Sequence, residues 1–164
     1  MPARNVSILP RRKPVIAVVG AGKCSKKLRD LAVEIGGQIA RAGAVLVCGG
    51  LGGVMEAAAQ GAKESGGTTI GILPTDDKKD ANEFIDHVIP TGFGEARNII
   101  VVRSADAVIA LPGKYGTLTE MAFALLAEKP VISVSAWNLG DEVHQVDNPS
   151  EAVRMALELI AKKK

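Results

Sequence analysis

Three short apolar runs in this chain end in glycine clusters, and each cluster opens onto a segment with helical spacing. Val15-Ile16-Ala17-Val18-Val19 closes on Gly20-Ala21-Gly22. Ala44-Val45-Leu46-Val47-Cys48 closes on Gly49-Gly50-Leu51-Gly52-Gly53, and Ala107-Val108-Ile109-Ala110-Leu111 on Pro112-Gly113-Lys114-Tyr115-Gly116. A strand that is apolar at every position is buried on both faces, as central parallel strands are. Parallel neighbours need long crossovers, and helices covering both faces supply them. The pattern predicts an α/β fold, a single Rossmann-like doubly wound parallel sheet flanked by helices.

The remaining segments fit that scheme. Ser25 is placed to cap a helix reaching about Ala42, with Leu28, Ala32, Ile35 and Ile39 on one face and Gly43 as its stop. Gly36-Gly37 inside it points to close packing. A small-residue helix spans Val54 to Glu64, and strands are expected at Thr69–Pro74, His87–Pro90 and Pro130–Val134. Glu95 to Ser104 reads as a helix and Trp137 to Asn148 as a polar connection, after which Ser150 caps a final helix from Glu151 to about Lys162. Residues 1–13 read as a basic extended arm and 14–164 as the domain.

Bulk properties narrow the function. With 164 residues and 47% hydrophobic content, one compact core is expected. The net charge of +2 is small, and much of the excess lies in Arg4, Arg11, Arg12, Lys13 and Lys162 to Lys164, so no nucleic-acid partner is expected. No apolar stretch is long enough to span a bilayer, and no secretory leader is visible, so the expected location is the cytoplasm. Cys24 and Cys48 lack metal-ligand spacing, and no metal is expected. His87 and His144 read as surface or half-buried residues.

In a parallel sheet all carboxyl ends share one edge, so the three glycine loops and the segment from Gly92 to Asn98 converge there. Backbone N–H groups at glycine turns and helix starts suit a phosphate. The candidate ligand-binding residues are therefore Gly20, Gly22, Gly49, Gly50, Gly52, Gly53, Arg97, Asn98, Gly113, Lys114, Gly116, Thr117 and Glu120. Three have competing readings: Thr117 and Glu120 have capping-box spacing, and Arg97 has Glu95 and Asp106 as surface ion-pair partners. Gly20-Ala21-Gly22 begins like a dinucleotide fingerprint, but Ser25 stands at its third glycine and the second strand ends without an acid, so NAD is not expected.

Gly49-Gly50-Leu51-Gly52-Gly53-Val54-Met55-Glu56 and Pro112-Gly113-Lys114-Tyr115-Gly116-Thr117-Leu118-Thr119-Glu120 resemble the two signature loops of the LOG ("lonely guy") superfamily. Lys114 replaces the second glycine of that family's PGGxGTxxE signature. Thr91 to Asn98 and Val102 to Asp106 resemble the molybdenum-cofactor carrier branch and its bacterial relatives. The likeness runs from about Val15 to Val134.

The resemblance implies a choice of activity. LOG enzymes hydrolyse the N-glycosidic bond of nucleoside 5′-monophosphates to free base and ribose 5-phosphate, and their catalytic glutamate and arginine map onto Glu120 and Arg97. Carriers hold a molybdopterin-type cofactor as cargo. The reading put first is binding of a phosphate-bearing small molecule, with the phosphoribohydrolase as alternative. A lysine decarboxylase label attached to some relatives is set aside, because no lysine is marked out for pyridoxal phosphate. The likeness also implies a homodimer or larger homo-oligomer. Arg97-Asn98 departs from the Arg-Lys of the LOG enzymes, which weakens hydrolysis more than phosphate binding.

Overall fold

The computed structural model describes residues 12–163, so the arm expected over 1–13 lies, up to residue 11, outside the described residues. The chain runs β1 (Val15–Val19), α1 (Lys26–Arg41), β2 (Val45–Cys48), α2 (Val54–Glu64), β3 (Thr69–Leu73), β4 (His87–Pro90), α3 (Arg97–Ser104), β5 (Ala107–Ala110), α4 (Tyr115–Leu126), β6 (Val131–Val134), β7 (Val143–Val146) and α5 (Pro149–Lys162). Short 3-10 turns occupy Lys78–Asp80 and Gly94–Ala96. The strands form one parallel sheet in the order β4-β3-β2-β1-β5-β6-β7.

Alternate residues of each central strand feed two separate cores. Ile16 and Val18 of β1 pack with α1, α2 and α5, whereas Ala17 and Val19 pack with α3 and α4. The sheet is thus doubly wound. Its order reverses between β1 and β5: the chain leaves β1 toward one side and one face, and β5 toward the other. The loops above these two strands must part, and a crevice opens between them.

The sequence explains most element boundaries. Ser25 Oγ accepts from the Leu28 N–H at 3.2 Å, as its N-cap reading expects. Gly43, with φ +75°, closes α1 by giving its N–H to Ala40 O, while the Ala44 N–H goes to Ile39 O. That pair of bonds is a Schellman motif. Inside α1, a methyl group on Gly36 would collide with the carbonyl of Ala58 in α2, so the absent side chain lets the two helices touch. Gly36→Ala is expected to cost about 1–3 kcal/mol, because the obstacle is backbone and cannot rotate away. Urea unfolding of both proteins measures it, and equal midpoints would contradict the close contact.

Three local expectations need correction. The connection from Trp137 to Asn148 contains β7, which pairs in parallel with β6. It is a short edge strand that buries only Val143 and Val146, so its polar centre hid it. Asn148, not Ser150, caps the last helix: its Oδ1 accepts from the Glu151 N–H at 2.9 Å, and Pro149 occupies the first turn. The helix expected from Glu95 starts as the 3-10 turn and becomes α-helical at Arg97.

Candidate functional site

A crevice of about 580 Å³ lies at the carboxyl ends of β1 and β5. Its wall follows from the loop architecture. The Ala21 N–H donates to Pro112 O at 3.0 Å, and the Val54 N–H donates to Ala21 O at 2.9 Å, so the three glycine loops are stitched into one unit. Asn82 clamps the middle loop from outside. Its backbone N–H donates to Gly50 O at 2.9 Å, and its side-chain amide donates to Leu51 O at 2.8 Å.

Of the residues picked from sequence, Gly20, Gly22, Arg97, Asn98, Lys114, Gly116, Thr117 and Glu120 line this crevice. Gly49, Gly50, Gly52, Gly53 and Gly113 are not on its wall. Several of these have close packing neighbours. A side chain on Gly49 would press to 2.6 Å from the Arg97 guanidinium, and one on Gly53 (φ +64°) would strike the backbone of Ala21 and Gly22. One on Gly113 would strike Thr117. These glycines make room for the wall and for one another. Lys23, Met55 and Glu95 line the crevice but were not picked. Lys23 directly follows the Gly20-Ala21-Gly22 turn, and that adjacency was the available signal.

The capping-box reading of Thr117 and Glu120 fails. Helix α4 begins at Tyr115, two residues before Thr117, and its N-cap Lys114 makes no side-chain cap bond. The glycine signature runs straight into the helix, so the first-turn N–H groups have no side-chain cap acceptor, and Gly116 and Thr117 of that turn line the crevice. An anion is the complementary ligand for such an end.

Arg97 is not a surface ion-pair residue either, being only 5% exposed. Its Nε donates to Ile72 O at 2.9 Å, one terminal nitrogen to the Asn98 side-chain oxygen and the other to Gly49 O at 3.5 Å. These partners fix the fork without neutralising its charge. Among the described residues, none of the ion pairs includes Arg97, Lys23 or Lys114.

Glu120, one α4 turn deeper than the helix start, is 8% exposed. Burial pushes its carboxyl up to about 8, with the Arg97 charge pulling down and the Glu95 carboxylate pushing up. The crevice therefore holds a buried arginine beside a carboxyl group that burial biases toward its protonated form. Beneath it, burial pushes the Cys48 thiol up to about 11, so Cys48 serves as a small core side chain. Among the described residues no helix is long and apolar enough to cross a membrane.

Fold and site together define a Rossmann-like protein whose strand-end crevice offers an open helix terminus, a fixed arginine fork and a buried carboxyl group. The family model described as the SLOG cluster4 family matches residues 13–160. The chain belongs to that family, within the LOG-like superfamily. Among solved structures, the molybdenum cofactor binding protein of Rippkaea orientalis is 38% identical with a TM-score of 0.87, covering 92% of this chain and 99% of that one. The molybdenum cofactor carrier protein of Chlamydomonas reinhardtii is 37% identical with a TM-score of 0.82 at the same coverage. A cytokinin riboside 5′-monophosphate phosphoribohydrolase of Mycobacterium tuberculosis is 34% identical over 133 residues, 75% of this chain and 71% of that protein. The chain spans about half the length, 52%, of plant relatives described in the same terms.

Proposed function

We propose that the crevice binds a phosphate-bearing small molecule, a nucleotide or a molybdopterin-type cofactor, and holds it as a carrier does. The observation that carries this reading is the uncapped start of α4 lining the same crevice as Arg97, which enters none of the ion pairs among the described residues. The ligand phosphate accepts from the Gly116 and Thr117 N–H groups, and its charge is balanced by the guanidinium. A protonated Glu120 adds a donor without repelling the anion. Likeness to molybdenum-cofactor proteins over 99% of their chains supports the cargo.

Purified protein is expected to bind AMP, in calorimetric titration, with affinity that Gly116→Val removes while the unfolding midpoint stays. Unchanged affinity in that folded variant would count against the cradle.

A second reading has its own observation: Glu120 and Arg97 line one crevice, as the LOG resemblance requires of a catalytic pair. In hydrolysis the bond between the sugar C1′ and the base nitrogen breaks, and water adds to C1′. The leaving nitrogen takes up a proton. Ionised Glu120 stabilises the positive charge on the sugar and orients the water, while Arg97 holds the phosphate. Incubation with a panel of nucleoside monophosphates separates the readings: released base and ribose 5-phosphate mean hydrolysis, and intact nucleotide means carriage.

The homo-oligomer belongs to the same proposal. Leu126 on α4 is 80% exposed, with Phe123 and Leu125 half-buried beside it, and we assign this helix face to contact with a second copy. Light scattering of Leu126→Lys protein is expected to report a smaller particle than wild type. An equal mass would move the contact elsewhere.

A further inference from the structure

The crevice carries more positive charge than one phosphate at the α4 start requires. Lys23 and Lys114 both line it, both are exposed, and among the described residues neither enters an ion pair. Their placement follows from the loop stitching. Ala21 and Pro112 share the 3.0 Å bond that joins the first and third loops, and each lysine lies two residues beyond one of those partners. The two cations thus leave neighbouring backbone segments on opposite sides of the β1–β5 parting. The Lys114 backbone is also held from outside, because the Trp137 Nε1–H donates to Lys114 O at 3.2 Å and the Trp137 ring stacks on Tyr115 at 6.4 Å between centroids.

We propose that Lys23 and Lys114 form a second anion subsite next to the α4 start, so that the crevice selects ligands with a diphosphate or an equivalent pair of adjacent anionic groups over monophosphates. The inference rests on the phosphate-binding reading and narrows it. Lys114 is the residue immediately before the helix, which puts the second anionic centre beside the first, not at the far end of a long ligand. A glycine at 114 supplies the close turn but no charge; the lysine keeps the turn and adds a cation. Three cationic side chains, Lys23, Arg97 and Lys114, line the wall with two carboxyl groups, Glu95 and the buried Glu120, which leaves the balance positive. Ammonium groups without protein partners have their full hydrogen-bonding capacity available to phosphate oxygens.

Calorimetric titration with AMP and ADP at pH 7, with chelator present to remove divalent ions, tests this on wild type and on the Lys23→Ala/Lys114→Ala double variant. Wild type is expected to bind ADP about tenfold or more tighter than AMP, about 1.4 kcal/mol. The double variant is expected to bring that ratio below about threefold, and added salt is expected to narrow it in wild type. Equal affinities in wild type, or a ratio the double variant leaves intact, would overturn the second subsite while the phosphate-binding reading survives. If wild type binds neither nucleotide nor inorganic pyrophosphate, both fall. Lys114→Gly, which restores the superfamily's glycine, guards against a turn disturbed by alanine and is expected to lower the ratio too.

Discussion

Wild type is expected to lose stability as pH rises from about 4.5 to about 8, and Glu120→Gln protein is expected to lack that decline. The folded chain holds the Glu120 proton up to about 8, whereas the unfolded chain releases it near the ordinary value of 4.5. Across that window the native state binds more protons than the unfolded state, so unfolding becomes easier as pH rises, by up to about 1.4 kcal/mol per pH unit from this group alone. Below the window both states are protonated, and above it both are ionised, so the slope vanishes at either end. Glutamine keeps the shape and cannot ionise, which leaves the variant flatter and more stable than wild type at pH 8. Urea midpoints measured from pH 5 to pH 9 on both proteins decide it, and parallel curves would place the Glu120 ionisation elsewhere.

The same proton links Glu120 to ligand. In the carrier reading, wild-type affinity for a phosphate ligand falls above pH 8 as a second negative charge forms beside it, and Glu120→Gln removes that fall. In the hydrolase reading, kcat rises as the carboxyl ionises toward pH 8, whereas the variant shows no such rise and loses about 10²–10⁴ in rate at the high-pH plateau. One pH series on two proteins therefore reads out both stability and activity.

How much of this was legible in the sequence depends on which force set each feature. Strand β1 and helix α2 fall where the apolar run and the glycine punctuation put them, because burial on both sheet faces leaves a continuous hydrophobic signature. The start of α1 was legible from Ser25 for a local reason, a side chain bonding backbone three residues away. Strand β7 was not, because an edge strand buries little and Val143-His144-Gln145-Val146 offers one apolar residue to each face of the sheet. Asn148 and Ser150 have equal chemistry as caps, and what separates them is Pro149, which fits the first turn of the helix.

The glycine loops announced the sheet edge at which the crevice opens but not the division of labour within it. A glycine that approaches a ligand and one that approaches another loop look alike in a sequence. Gly49 yields to the Arg97 guanidinium, and Gly50 (φ +77°) yields to the Leu73 side chain. Arginine is seldom buried, so nothing local foretold that Arg97 would thread between β3 and the second glycine loop. Its burial depends on carbonyls from Ile72 and Gly49, which only the sheet order brings together.

That dependence makes Arg97 the other residue whose loss is expected to be felt most. Arg97→Met fills similar volume with an apolar chain but leaves the carbonyls of Ile72 and Gly49 and the Asn98 side chain without their donor. Buried acceptors left so cost about 1–3 kcal/mol of stability. The cost in affinity for a phosphate ligand is larger, about 2–5 kcal/mol, because the anion keeps its desolvation cost and loses the cation opposite. Arg97→Lys separates charge from fork: a point charge on a flexible stem satisfies one partner, not three, and recovers only part of the affinity. Removing Arg97 also removes the cation that holds the Glu120 carboxyl down, so the upper end of the stability slope moves above pH 8 in Arg97→Met. That displacement belongs to no general loosening of the fold, since water entering a disordered crevice would bring Glu120 back toward the ordinary carboxylate range instead. A downward move, with affinity falling, would mean that Arg97 acts by holding the loops closed; an upward move means that its charge faces both Glu120 and the ligand.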